Sequence, residues 1–439
     1  MNGIVLIVRR SLRQHALSTL VTILSVALAT GLVMSVFCVR DQAHEAFTGG
    51  AIGFDAVLGA RGSSLQLVLN TVFHLETSPG NISWAMYQAV KKDSRVKLAV
   101  PYAVGDNLRG FRIVGTTAEI FTEFEYQEGK KLKPEYGRIF AESKPTEELK
   151  REGVMGSYAA QKLGLKVGDT FKPFHGLYFD EKNQHEEVYT VVGILAPTNT
   201  PNDRVIWIPI ECMYRMKGHY IKKTSDETNP AKSALGIKKV EVVEPKAGED
   251  IPEEFKEVSA VMIKFKNPDT AGMNMSQQIN MQGKEATLAW PIARTMDDLF
   301  NKIGWIDKIL ELISYLVVVV SAGSILASIY NTMNERRREF AILRALGARR
   351  GTVFGAIVAE AAAIAGLGSL AGYLVHGAIL TGAAYVIRKN TGVVLDVFQL
   401  HPILLLAPLG MTLIGALSGI APALKAYGTD VASNLTPVS

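Results

Sequence analysis

Four long stretches without a charged side chain constrain this sequence more than any other feature. They cover residues 16–39, 312–334, 361–387 and 397–424, which is 24, 23, 27 and 28 residues. A helix needs about 20 apolar residues to cross a hydrocarbon core of ~30 Å. Backbone in hydrocarbon must satisfy its own hydrogen bonds, so these runs read as four transmembrane helices. The third run extends back to Gly351 if Glu360 is tolerated within it. The first run follows Arg9, Arg10 and Arg13, as a cleaved signal would, but it exceeds the 7–15 residues of a signal core. Its Ala27-Leu28-Ala29 triplet lies mid-run, and Phe37 precedes Cys38 where a lipoprotein signal has a small residue. An uncleaved signal-anchor is expected.

Charge arithmetic separates two regions. Residues 40–308 hold 35 Lys and Arg against 36 Asp and Glu, whereas the remainder holds 12 against 6. The basic excess therefore sits beside the apolar runs, which argues against a nucleic-acid partner. Two cysteines provide no disulfide framework. Three arginines in the head, and six in the segment 334–350 (336, 337, 338, 344, 349 and 350), place both segments in the cytoplasm by the positive-inside rule. The expected fold is a membrane protein of four transmembrane α-helices with a large α+β extracytoplasmic domain between helices 1 and 2. The boundaries are a head and helix 1 at 1–40, an outer domain at 41–308 and helix 2 at 309–334. A cytoplasmic helix follows at 335–350, helix 3 at 351–388, a short outer loop at 389–396, helix 4 at 397–425 and a cytoplasmic tail at 426–439.

Within the outer domain, the β-branched and aromatic runs Phe111–Gly115, Tyr189–Leu195, Val205–Ile210 and Ala260–Phe265 predict strands. Helices are expected at 63–75, 83–92 and 154–163, the last ending near Gly164. Residues 221–257 read as a solvated insertion, and the domain is large enough for two subdomains.

Catalytic signatures are missing. No G-x-x-x-x-G-K-[ST] occurs, so this chain has no P-loop of its own and is not expected to be an enzyme. No G-x-S-x-G occurs, and His185-Glu186-Glu187-Val188-Tyr189 ends in Tyr where a zinc protease has His. Five histidines (44, 74, 175, 185, 219) fall in the outer domain. His175 and His185 lie near Asp180, Glu186 and Glu187, but their ligand pattern is incomplete, so they read as solvated and no metal site is expected.

Three features of the membrane region stand out. Glu360 is an acid inside a span, and such a group is a functional candidate unless it bonds a Ser, Thr or Tyr on another helix. Gly351 and Gly355, Gly368 and Gly372, and Gly415 and Gly419 form small-xxx-small faces for close packing, within the chain or against a second copy. The segment 335–350 reads as a short amphipathic helix, with Phe340, Leu343 and Leu346 apolar and a stop at Leu346-Gly347-Ala348. A lipid anchor explains its arginines but not its ordered E-F-A-I-L-R-A-L-G-A pattern, which suits docking to a partner.

That segment, NERRREFAILRALGARRGTVFGAIVAEA (334–361), resembles the coupling region of FtsX-like permeases, the MacB, LolC/LolE and FtsX group of ABC transporters. Glu339, Arg344, Ala345, Leu346, Gly347, Ala348 and Glu360 fall on the family pattern. SLRQHALSTLVTILSVALATGL (11–32) and GALSGIAPALKA (415–426) resemble its first and last helices, and LGLKVGDTF with YTVVGIL (163–171, 189–195) resembles a MacB-type periplasmic core. The resemblance implies an inner-membrane permease dimer with two copies of a separate ABC ATPase, which would bind the ATP and Mg. This chain would hold no cofactor. Glu339, Phe340, Leu343, Arg344, Ala345, Leu346, Gly347 and Ala348 would form the ATPase-coupling helix. Membrane lipids, and a periplasmic adaptor, lipoprotein or other periplasmic protein, are the further partners implied. Export or extraction of a periplasmic or membrane-derived substrate is the leading function. The alternative is an FtsX-type signalling subunit controlling a periplasmic partner, and a tethered enzyme ranks last.

Overall fold

The computed structural model describes residues 2–48, 53–142, 149–176, 179–217, 219, 221–224, 239–242 and 250–427. Most of the expected insertion at 221–257, and the tail beyond Tyr427, lie outside the described residues. The chain divides into two compact units. One comprises residues 1–43, 302–386 and 395–439, and the other residues 44–301 and 387–394.

The first unit is helical. An amphipathic helix, α1 (Asn2–Gln14), breaks at His15 and leads into α2 (Ala16–Thr48). Then come α3 (Ile292–Glu335), α4 (Arg337–Ala345), α5 (Arg350–Thr391), α6 (Ile403–Ser418) and α7 (Ile420–Tyr427). Among the described residues four helices are long and apolar enough to cross a membrane: α2, α3, α5 and the α6–α7 pair. α2, α3 and α5 outrun the apolar sequence that announces them. α3 starts twenty residues before position 312, because no proline interrupts residues 292–311 and charged side chains do not end a helix.

Small residues bring these helices together. A Cβ on Gly368 would lie 2.5 Å from the Val26 Cβ, and one on Gly372 3.0 Å from the Thr30 Cβ, so α5 rests directly on α2. One on Gly419 would lie 2.7 Å from the Ala361 Cβ, and Gly415 is as tight against Ala365. These four glycines are consumed by packing within the chain. Gly351 has open space around it, and Gly355 meets only the end of Ile4 at 3.8 Å. Hydroxyls supply polar rungs between helices. Thr30 Oγ1 is 3.4 Å from Ser369 Oγ, Ser18 Oγ is 3.1 Å from Ser328 Oγ, and Ser35 Oγ is 3.2 Å from His376 Nδ1. Leu17, Leu20, Leu24 and Leu28 form an exposed stripe along α2, as a lipid-facing surface requires.

The second unit is built on one mixed sheet of eleven strands. In chain order they are β1 (Ala56–Ala60), β2 (Val96–Leu108), β3 (Phe111–Thr116), β4 (Pro134–Gly137), β5 (Glu152–Met155), β6 (Thr170–Phe171), β7 (Phe174–His175), β8 (Tyr189–Leu195), β9 (Ile206–Pro209), β10 (Ala260–Phe265) and β11 (Ala286–Ala289). The main path runs β11-β1-β10-β2-β3-β9-β5-β8-β4, while β7 pairs with β2 and β6 with β8. The pairs β9–β3 and β5–β8 are parallel and the others antiparallel. Both faces of the sheet are covered, which is why the strands read as nearly continuous apolar runs. Ile206 and Ile208 enter one core, and Val205 and Trp207 enter the core on the opposite face.

Two expectations need correction here. The domain is not two separate subdomains, since β2 is long enough to serve both wings of one sheet. Val96–Tyr102 pair with β10, and Ala103–Leu108 with β3. The helix expected at 154–163 begins only at Ser157, because Glu152–Met155 is claimed by the sheet. Its end is as expected, with Gly164 in the left-handed region at φ 70°.

Candidate functional site: the arginine-rich end of the bundle

α3 stops at Glu335, and Arg336 leaves helical geometry (φ −99°, ψ 11°) before α4 begins. The release turns the Arg336 side chain inward, where it is only 7% exposed. Its Nη1 donates to Ser11 Oγ on α1 at 2.6 Å and to Glu360 Oε2 on α5 at 3.3 Å, and its Nε donates to Glu339 Oε2 at 3.1 Å. Ser11 also donates to Glu360 Oε1. One guanidinium thus joins the amphipathic head, the start of α4 and the third spanning helix. Its planar fork has enough donors for all three partners. Glu360 does bond a serine, but that serine belongs to α1 and not to a span.

The ends of the bundle close around this centre. His15 Nδ1 is 3.2 Å from Glu335 Oε2, Lys425 donates to the Tyr330 hydroxyl, and the Arg350 guanidinium lies 5.5 Å from the Tyr427 ring centre. α4 itself is split in character. Phe340 and Ala341 are buried in the bundle core, with the Arg336 guanidinium 5.0 Å from the Phe340 ring. Leu343, Arg344 and Ala348 are half-buried, while Glu339, Ala345 and Gly347 are exposed. Leu346 is 80% exposed and Ile342 44%. The apolar residues therefore do not share one face: Phe340 anchors the helix, and Ile342 and Leu346 point outward.

The stop is a Schellman motif. Gly347 N–H donates to Arg344 O and Ala348 N–H to Leu343 O, both at 3.0 Å, with Gly347 at φ 100°. This fixes where α4 ends and leaves Leu346 on the outside of the turn.

In the outer domain, the structure corrects the reading of the histidines. His175 and His185 are brought together with His219 around Asp106, whose side chain is fully buried. Asp106 Oδ1 lies 3.2 Å from His175 Nδ1, His185 Nε2 and His219 Nε2. His185 and His219 are 8% and 12% exposed, so neither is solvated. Burial pushes the Asp106 carboxyl up, but the three imidazole partners outweigh it and hold the group below the usual carboxylate range. Asp180, Glu186 and Glu187 are not in the cluster. Sequence spacing could not find it, since Asp106 is on β2 and His219 lies beyond β9. His44 pairs with Asp297 at 3.1 Å instead, and His74 is half-buried with its ring edge-on to Trp207.

Comparison with known proteins agrees with this architecture. Residues 19–272 match the MacB-like periplasmic core domain, and residues 311–431 match the FtsX-like permease C-terminal domain. The chain belongs to the FtsX-like, MacB-type family of ABC transporter permeases. Permeases of this family work with ABC ATPase partners. Among solved structures it is similar to the periplasmic region of MacB from Actinobacillus actinomycetemcomitans, at 11% identity and a TM-score of 0.32, over 57% of this chain and 94% of that one. It is also similar to the extracellular domain of the noncanonic ABC-type transporter YknZ from Gram-positive bacteria, at 15% identity and a TM-score of 0.28, over 53% and 99%. No curated protein matches.

Proposed function

We propose that this chain is the transmembrane subunit of an ABC transporter in which α4 docks a separate ATPase on the cytoplasmic side. The observation that carries the proposal is the two-sided character of α4. Phe340 and Arg336 fasten it to the bundle, while Ile342 and Leu346 are held outside by the Schellman turn. An exposed leucine at a rigid helix end is what a partner groove takes up. A lipid anchor needs only the arginines.

The route from docking to work follows from connectivity. A push on α4 is delivered through Arg336 to α1 and α5, and through Glu335 to α3. The outer domain is entered from α2 and left through α3, so relative movement of these helices must act on both of its ends. ATP hydrolysis in the partner would thereby drive the outer domain mechanically, for export or extraction of a periplasmic or membrane-derived substrate. The permease would act as a dimer, in the inner membrane, with both termini cytoplasmic.

The test is whether an ABC ATPase co-purifies with the tagged permease from its native membranes. Leu346→Asp and Arg344→Glu should each lose the ATPase while the permease still elutes as a monodisperse species. Undiminished retention in both variants would contradict docking through α4.

A further inference from the structure

We propose that Asp106, His175, His185 and His219 form a binding site for a divalent transition-metal ion of the zinc type in the outer domain. The proposal stands apart from the transport reading and rests only on the geometry of the second unit.

The four ligand atoms all lie within 4.8 Å of one another, and four of their six separations match the edges of a coordination tetrahedron. Asp106 Oδ1 is 3.2 Å from each of the three imidazole nitrogens, and His175 Nδ1 is 3.3 Å from His219 Nε2. In a tetrahedron the edge is about 1.63 times the centre-to-corner distance, so these four edges correspond to about 2.0 Å, the length of zinc–imidazole and zinc–carboxylate bonds. The rings also stand around a common point, with interplanar angles of 78°, 87° and 65°.

Hydrogen bonds alone satisfy this arrangement poorly. If all three nitrogens donate to Asp106, the N–H groups of His175 and His219 crowd together with their nitrogens 3.3 Å apart, and neither can accept from the other. If either nitrogen is bare, its lone pair faces a carboxylate oxygen at 3.2 Å. Asp106 Oδ2 is buried with no hydrogen-bond partner among the described residues. A cation at the centre resolves the first two mismatches, since each nitrogen then turns a lone pair on the ion, and its charge offsets the burial of the carboxylate.

The frame is built before any ion arrives. His175 sits directly across from Asp106 in the β7–β2 pair. The register of β2 shifts between Val104 and Asp106, which re-aims the Asp106 side chain. Asn107 Nδ2 holds the next loop through the Phe174 and Gly176 carbonyls at 3.3 and 2.9 Å, and His185 N–H donates to Pro173 O at 2.9 Å. Three imidazoles and one carboxylate suit a borderline metal and not Mg or Ca, and tetrahedral placement favours zinc over square-planar copper or nickel. Four protein ligands complete the shell, so the site holds an ion and leaves no position for a hydrolytic water. His175 is 58% exposed and provides the edge through which an ion would exchange.

The full-length protein in detergent is stripped with chelator, desalted and titrated with zinc by calorimetry. A parallel cobalt titration is followed by its visible spectrum. Wild type should take up about one equivalent per chain, with intense tetrahedral cobalt bands and a zinc-dependent rise in melting temperature. His175→Gln and His219→Gln should weaken binding by more than about 100-fold, beyond the scale at which even outer-shell changes act. His175 is exposed, so its variant should melt like chelated wild type and serve as the folding control. Absence of stoichiometric zinc in wild type would overturn the site. So would unchanged affinity in His175→Gln and His219→Gln, or octahedral cobalt bands alone.

Discussion

Arg336 Nη1 and Glu360 Oε2 lie 3.3 Å apart, and both side chains are almost wholly buried, at 7% and 8% exposure. The pair joins the first residue past α3 to the first quarter of α5 and shares Ser11 of α1 between its members. Breaking one half leaves the other charged and buried. Arg336→Met should therefore destabilise the bundle by about 3–5 kcal/mol, and the double variant with Glu360→Met by clearly less. Thermal unfolding in detergent measures both. A double variant as unstable as the sum of the singles would show that the pair is not coupled.

The glycines separate into two classes. Gly368→Leu and Gly419→Leu force side chains into Val26 and Ala361 and should cost about 1–3 kcal/mol or more by overpacking. Gly351→Ala meets nothing and should be neutral or stabilising by up to about 1 kcal/mol. Melting curves of the three variants, recorded side by side, check the order.

Gly347 holds φ 100°, where a Cβ is strained. Gly347→Ala should cost about 1–2 kcal/mol locally and loosen the end of α4. It should weaken ATPase retention without removing a side chain that touches the partner, and Gly347→Asn should do so less, since Asn tolerates the left-handed region. Quantified pull-downs of the two variants decide this, and equal retention of both with wild type would contradict a role for the turn.

Burial, with Arg112 and Arg204 nearby, pushes the His74 imidazole down to about 3 from 6.5. Above pH 6.5 the group is neutral folded and unfolded alike, and its contribution is complete. As pH falls towards 3 the unfolded chain takes up a proton that the folded chain refuses, so stability drops by about 1.4 kcal/mol per pH unit. Denaturant unfolding from pH 7 to pH 4 should show this slope, reduced in His74→Phe. An unchanged slope in that variant would assign the acid limb to the carboxylates.

Much of this molecule was legible in its residues, for identifiable reasons. Spans are visible because hydrocarbon demands unbroken apolar runs, and the end of α4 is visible because Gly347 alone suits its backbone there. Tyr189–Leu195 and Ala260–Phe265 form strands over the residues expected. What stayed hidden depends on contacts distant in sequence. Ser11 and Glu360 are 349 positions apart, Asp106 and His175 meet only because β7 pairs with β2, and His219 joins them from beyond Ile210–Tyr214. Gly31, which would clash with Val375 at 2.6 Å, belongs to the same interface as Gly368 and Gly372 but has no second glycine four residues away to mark it. The exposure of Leu346 was likewise hidden, because Phe340 and Leu343 are held by packing against residues distant in sequence while Leu346, at the turn, is not.

The account depends most on α4 facing the cytoplasm with Leu346 outward. Cysteine labelling at that position tests it directly, since Cys38 and Cys212 are buried and burial pushes the Cys212 thiol up to about 12. Leu346→Cys should resist a membrane-impermeant maleimide in intact cells, react in inverted membrane vesicles, and be protected there when the ATPase is added. Labelling in intact cells would contradict the account.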